Sequence, residues 1–283
     1  MKAVLLDVFT DRPLTGNQLA VFLDGPSVPV EIRQDLAREI GFSETVYVDL
    51  PSHPTAGDAA IHIHTPEVEL PFAGHPVLGT AVAIGRDRGL GGGSVVTLEC
   101  LVGPVPVELG DDGGSGWMRQ PIPRWEACAA VDELLAALGL DAGVVAAPIE
   151  VYDNGPTHCV VAVSSPDLVA GLQPDTGRLA RVMGGTGTSV CSITGAGSAT
   201  TRMFVPGAGI VEDPATGSAA GPVGVHLLRH GLVEPGRELV LSQGVEIKRP
   251  SVLRVRVEGL PDAIAAVGVG GSAVVVGEAT FTF

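Results

Sequence analysis

The sequence predicts a mixed α/β (α+β) chain made of two pseudo-symmetric halves. Three observations point there. Strand-like and helix-like segments alternate along all 283 residues. Two helical segments, opening near residues 76 and 215, are small or apolar on every face. Turn–strand and strand–helix signals recur at near-equal spacing: 58 residues separate Gly16 from Gly74, and 62 separate Gly155 from Gly217.

Taken in order, residues 4–9 read as a first strand, 11–17 as a turn and 19–23 as a second strand. Ile32, Leu36, Ala37 and Ile40 fall at helical spacing, and Gly41 ends that helix. Strands follow at 45–50 and 59–65. Residues 76–86 read as helix, and Val77, Leu78, Ala81, Val82, Ala83 and Ile84 leave it buried on all sides. Strands near 94–101 and 105–109 come next. Residues 117–125 contain Pro121 and Pro123 and read as a linker. The pattern then restarts: helix 131–138, strands 149–152 and 159–163, helices near 165–172 and 177–183, strands near 189–194 and 199–205. The second buried helix covers 215–228 and ends by Gly231. Residues 263–276 are apolar but interrupted by Gly268, Gly270 and Gly271, so they read as strand, turn, strand. The halves run 1–118 and 119–269, with 270–283 completing the first.

Composition narrows the function. The chain carries 17 basic and 32 acidic residues, a net charge of −15, and its lysines are Lys2 and Lys248 alone. Such a surface repels phosphate backbones and anionic lipid, so neither nucleic acid nor membrane is expected as a partner. No run of about 18 uninterrupted apolar residues is present. Asp7 comes too early for a signal peptide. Cys100, Cys128, Cys159 and Cys191 show no CxxC spacing, so a reduced, cytoplasmic protein without disulfides is expected.

The chemistry centres on Gly-Ile-Val-Glu-Asp-Pro-Ala-Thr-Gly-Ser-Ala-Ala-Gly at 209–221. A helix opening leaves amide N–H groups unpaired at the positive end of the macrodipole. Small residues let a ligand reach those amides, so Thr216, Gly217 and Ser218 suit a carboxylate or phosphate. Ala73-Gly74-His75-Pro76 has the same character. Ordinary capping is the other reading, with Asp213 as N-cap and Pro214 at the first helical position. Asp213 and His75 stand beside these anion sites, and a histidine there titrates near neutral pH and can pass a proton. Glu44 lies between a helix and a strand, and a partly desolvated loop carboxylate makes a general base with its pKa raised towards neutrality. The alternative for Glu44 is a solvated surface group.

Six stretches, at 7–22, 41–48, 64–80, 202–221, 242–251 and 270–281, together resemble the PhzF-like phenazine-biosynthesis isomerases of the diaminopimelate-epimerase-like fold. They occur in family order across the chain. The resemblance implies two halves, each a curled mixed sheet wrapped around a buried central helix. It implies a proton shift without metal or organic cofactor, acting on a small carboxylate-bearing unsaturated molecule in secondary metabolism, by a cytoplasmic homodimer. Carried over by motif, Glu44 is the acid/base, while His75 and Asp213 orient substrate or relay the proton. Gly74, Gly217 and Ser218 hold the substrate carboxylate, and Asn17, Ser43 and Thr216 line the site. A related branch uses two facing cysteines at the helix starts; this chain has Ala73 and Thr216 there, which disfavours a two-thiol racemase. An epimerase using Glu44 with another base, and a non-catalytic binder on the same fold, stay open.

Two lesser signals remain. His62 and His64 share a strand face as a metal pair would, without an evident third ligand. The resemblance sets His64 beside the substrate, where the family more often has an aromatic residue. Residues 184–189 have the glycines of a phosphate loop but follow a helix and lack its Gly-Lys ending, so they read as a helix stop.

Overall fold

The protein is described by a computed structural model in which residues 1–53 and 55–282 are defined. The elements are β1 (Lys2–Val8), β2 (Asn17–Phe22), α1 (Val30–Ile40), β3 (Glu44–Asp49), β4 (Ala59–His64), β5 (Glu69–Leu70), α2 (Gly74–Arg88), β6 (Val95–Cys100), β7 (Gly103–Leu109) and β8 (Ser115–Gln120). There follow β9 (Arg124–Ala127), α3 (Val131–Leu138), β10 (Glu150–Asp153), β11 (Thr157–Ala162), α4 (Pro166–Ala170), α5 (Thr176–Met183), β12 (Gly187–Gly195), β13 (Ser198–Val205) and β14 (Ile210–Asp213). The chain closes with α6 (Gly217–Arg229), β15 (Leu239–Gln243), β16 (Ser251–Leu260) and β17 (Ala263–Thr280). It divides into two compact units, one of residues 1–119 with the stretch from Gly270 onward, the other Gln120–Val269.

In the first unit β1 is antiparallel to both β2 and β17. The sheet continues through β3, β4, β6, β7 and β8, with parallel steps at β2–β3 and β4–β6. β8 returns to β17, where the Ala273 amide donates to the Gly114 carbonyl at 2.7 Å, so the strands close on themselves. Helix α2 packs against β1, β2, β3, β6 and β7 and is buried from Gly74 to Gly85. The absence of side chains at Gly79 and Gly85 is what lets strands approach: a Cβ at Gly79 would lie 2.6 Å from Leu19 Cδ2, and one at Gly85 2.5 Å from Leu109 Cδ1.

The second unit repeats the plan. β9 to β13 pair in order, β13 runs parallel to β15, and β15 pairs with β16. Helix α6 packs against β10, β11, β12 and β16 and is buried from Gly217 to Leu228. The other face of this sheet carries α3, α4 and α5 over an apolar core of Leu134, Leu138, Val161, Leu179, Val190 and Phe204.

Several elements differ from the sequence reading. The linker at 117–125 is two strands, β8 and β9, separated by three residues. β8 alternates in burial, with Gly116, Met118 and Gln120 inward, and the prolines sit between the strands, where no ladder amide is needed. Residues 263–276 form one unbroken strand. Its glycines make room rather than a turn: a Cβ at Gly270 would lie 2.6 Å from the Trp117 ring. Glu44 is the first residue of β3 rather than a loop residue. Helix α6 opens at Gly217 with Thr216 as N-cap, so Asp213 is not the cap and Pro214 not the first helical residue. A short hairpin strand, β14, intervenes instead, and Asp213 ends it.

Candidate active site

In the first unit, β2, β3 and α2 bring four of the expected residues together. Leu19 pairs with Glu44 across the parallel β2–β3 ladder, so Asn17 and Ser43 enter side by side. Ser43 Oγ donates to Asn17 Oδ1 at 2.8 Å. The Asn17 amide nitrogen lies 3.2 Å from His75 Nδ1, and His75 Nε2 lies 3.3 Å from Glu44 Oε2. Glu44 is 8 % exposed and His75 3 %. Burial pushes the His75 imidazole down to about 3, so the ring is neutral at physiological pH. This corrects the expectation of a histidine titrating near neutrality. The ring lies beside Glu44 as a neutral group, not as a cation. The same helix start places Gly74 at its first position, and no side chain caps it. Its amides therefore face whatever occupies the helix mouth.

In the second unit, strand alternation separates the two acids of the central motif. Glu212 is gripped by Arg202, with Nε to Oε1 at 2.9 Å and Nη2 to Oε2 at 2.7 Å. Arg202 also donates to the Leu172 carbonyl at 2.8 Å, so Glu212 is a structural anchor. Asp213 points the other way and accepts the Thr216 hydroxyl. Gln243 ties this turn together. Its Nε2 donates to the Asp213 carbonyl at 2.8 Å and to Thr216 Oγ1 at 3.1 Å, and its Oε1 accepts from the Thr216 amide at 3.3 Å. Thr216 is thus committed to Asp213 and Gln243, while Gly217 and Ser218 open α6 with no side-chain cap.

Three supporting residues were not singled out in the sequence. Gln243 lies within the Ser-Gln-Gly stretch at 242–244, but nothing local marks it as a clamp. Gln120 lies in the segment read as linker and donates to the Gly217 carbonyl at 2.7 Å. Asn154 donates to the Ser218 carbonyl at 2.9 Å. The sequence does hold a clue to the last. Pro222 stands four residues after Ser218 and has no N–H to return to it, so that carbonyl needs an outside donor.

Among the described residues, the two histidines of β4 turn to different partners. His62 lies 2.7 Å from Glu69 and 3.5 Å from Asp49, while His64 Nδ1 bonds Gln34 Oε1 at 3.0 Å. Glu150, His226 and His230 do converge, with ligand atoms within 4.8 Å of one another. There the Glu150 oxygen is already taken by Tyr152 at 2.7 Å and by Arg229 at 2.5 Å, and a guanidinium supplies the positive charge. Residues 184–189 behave as a helix stop, with Gly184 closing α5 before β12 begins.

A curled mixed sheet around a buried helix, present twice, defines the epimerase-like fold class. The chain belongs to the phenazine biosynthesis-like protein family, whose model matches residues 6–279, and it is an isomerase. It is 42 % identical over 281 residues to trans-2,3-dihydro-3-hydroxyanthranilate isomerase of Pseudomonas fluorescens, covering 98 % of each chain. Among solved structures it resembles a phenazine biosynthesis protein of the PhzF family from Bacillus anthracis, with a TM-score of 0.86 and 26 % identity, covering 100 % of this chain and 99 % of that one. A hydroxyproline epimerase from Agrobacterium vitis shares the fold, with a TM-score of 0.63 at 14 % identity over 99 % of this chain and 90 % of that one.

Proposed function

We propose that this isomerase moves a proton between two carbons of a small cyclic carboxylate, with Glu44 taking the proton from one carbon and returning it to another. The observation that carries the reading is the contact of the buried Glu44 carboxylate with a neutral His75 at 3.3 Å. Glu44 is the first residue of a strand and lies beside a ring on a buried helix, which fixes its place. General acid–base help from such a group contributes about 10²–10⁴-fold. The amides at Gly74, Gly217 and Ser218 would take the substrate carboxylate and the enolate-like charge. Asp213, fixed through Thr216 and Gln243, would orient the substrate in the second unit.

The substrate we favour is trans-2,3-dihydro-3-hydroxyanthranilate or a close analogue, in a pathway of the phenazine kind, as the named Pseudomonas relatives indicate. Such a ring carries carboxylate, amine and hydroxyl groups, and its remaining double bonds can delocalise the charge left after proton removal. A thiol-pair racemisation finds no support, since Ala73 and Thr216 occupy the helix starts. The test is Glu44→Gln. Turnover should fall by at least about 10²-fold, while substrate binding, measured calorimetrically, stays within a few-fold. Full turnover in that variant would remove Glu44 from the role.

A further inference from the structure

The second unit holds a buried histidine that this chemistry does not use. His158 is 3 % exposed, and neither of its ring nitrogens has a hydrogen-bond partner among the described residues. Buried polar groups in native proteins are nearly always paired, so one left with two open atoms calls for a ligand or an explanation. His62, His64 and His75 each meet a polar group in their own unit.

The strand ladders locate the ring. His158 pairs with Gly187 across β11–β12, Ser189 pairs with Met203 across β12–β13, and Met203 pairs with Asp213 across β13–β14. Paired residues share a sheet face, as do residues two apart on a strand. His158, Met203 and Asp213 therefore stand on one face. It is the face covered by α6, because Tyr152, paired with His158, reaches His226 of that helix at 3.1 Å. Gly187 makes the arrangement possible. A Cβ there would lie 2.2 Å from Met203 Cε and 3.1 Å from His158 Nδ1, so imidazole and thioether lie side by side over a bare backbone. Asp213, the acid that holds the mouth of α6, is the strand partner of that same methionine.

We propose that His158 is a further substrate-contacting residue of the isomerase, its imidazole hydrogen-bonding a substrate group that can both donate and accept, such as a ring hydroxyl or amine. The inference rests on the proposed proton-shift reading and adds a residue to it. The division of labour follows from chemistry. A carboxylate is served by helix amides, which only donate. A hydroxyl or amine is served by a neutral imidazole, which offers one N–H and one lone pair. Burial pushes His158 down to about 4, so the ring keeps that neutral form at physiological pH.

The test is His158→Phe, which keeps an aromatic ring and removes both polar atoms. With the fold intact by circular dichroism, kcat/KM for the dihydro-hydroxyanthranilate substrate should fall at least about tenfold, as expected for the loss of a buried substrate hydrogen bond. His158→Asn should recover part of the loss. A folded His158→Phe variant within twofold of the parent would overturn the proposal. Should the phenylalanine variant fail to fold, His158→Ala assayed with added imidazole decides. Rescue supports the contact, and no rescue in a folded, impaired enzyme overturns it. The Glu44→Gln variant keeps the two claims apart. Retained turnover there sinks the base assignment, while weakened binding of substrate in Glu44→Gln/His158→Phe relative to Glu44→Gln still reports on His158.

Discussion

At the scale of single residues, the site depends on burial as much as on identity. His75, His158 and His226 are buried, and desolvation holds them at about 3, 4 and 4, against 6.5 for a free ring. The unfolded chain therefore takes up protons first as the pH falls. The stability linked to these rings is fully present above pH 6.5 and is lost as the pH drops through 6.5 towards 4 and then 3, by up to about 1.4 kcal/mol per pH unit for each ring. Tm should thus decline from pH 7 to pH 4, and the slope should be shallower in His158→Phe. A Tm that rose over that interval would contradict the burial of these rings. Residue identity was legible where the motif was local: Glu44, His75, Asn17 and Ser43 meet as a connected set. The titration of His75 was not, because desolvation comes from strands distant in sequence.

At the scale of elements, the two buried helices are held by backbone economies that make sharp predictions. Asn154 replaces the donor that Pro222 lacks, so Asn154→Ala leaves the Ser218 carbonyl unpaired and should cost about 1–3 kcal/mol. Chemical denaturation measures it, and a loss under about 0.3 kcal/mol would mean that water takes over the bond. Gly244 follows the Gln243 clamp at φ +75, and a Cβ there would lie 2.6 Å from the Pro214 carbonyl oxygen. Gly244→Ala should therefore disturb the Asp213–Thr216 turn, lowering both Tm and turnover. Unchanged turnover would show that this turn tolerates displacement. The same economies explain what the sequence concealed. Glycine reads as a breaker in isolation, yet Gly270 keeps β17 continuous by admitting Trp117. Prolines flagged a linker, yet Pro121 and Pro123 only separate two strands. Asp213-Pro214 satisfies the local capping rule, yet the β14 hairpin, a pairing with β13, decides where the helix starts.

At the scale of the whole molecule, the fold was readable because it is stated twice. Two helices without a polar face must each be enclosed, and the recurring spacing told where. β17 closes the first unit by pairing the two ends of the chain, a contact that leaves no local pattern of its own. A charge of −15 is a further global feature, and it sits oddly with the anionic substrate proposed above. In the proposed site the attraction comes from helix amides rather than from lysine or arginine. Raising ionic strength from about 10 to 200 mM should then screen the repulsive surface and lower KM, by about two- to threefold. A KM that climbs steeply with salt would point instead to a cationic site.

The claim on which the rest turns is that hydrogen leaves one carbon and arrives at another. The direct measurement is turnover in D₂O of the substrate proposed above, a dihydro-hydroxyanthranilate, following isotope position and stereochemistry by NMR. The account predicts a shifted double bond with hydrogen isotope delivered to a carbon other than the one deprotonated, and no such product with Glu44→Gln. Inversion at a single carbon, with the double bonds unmoved, would contradict it.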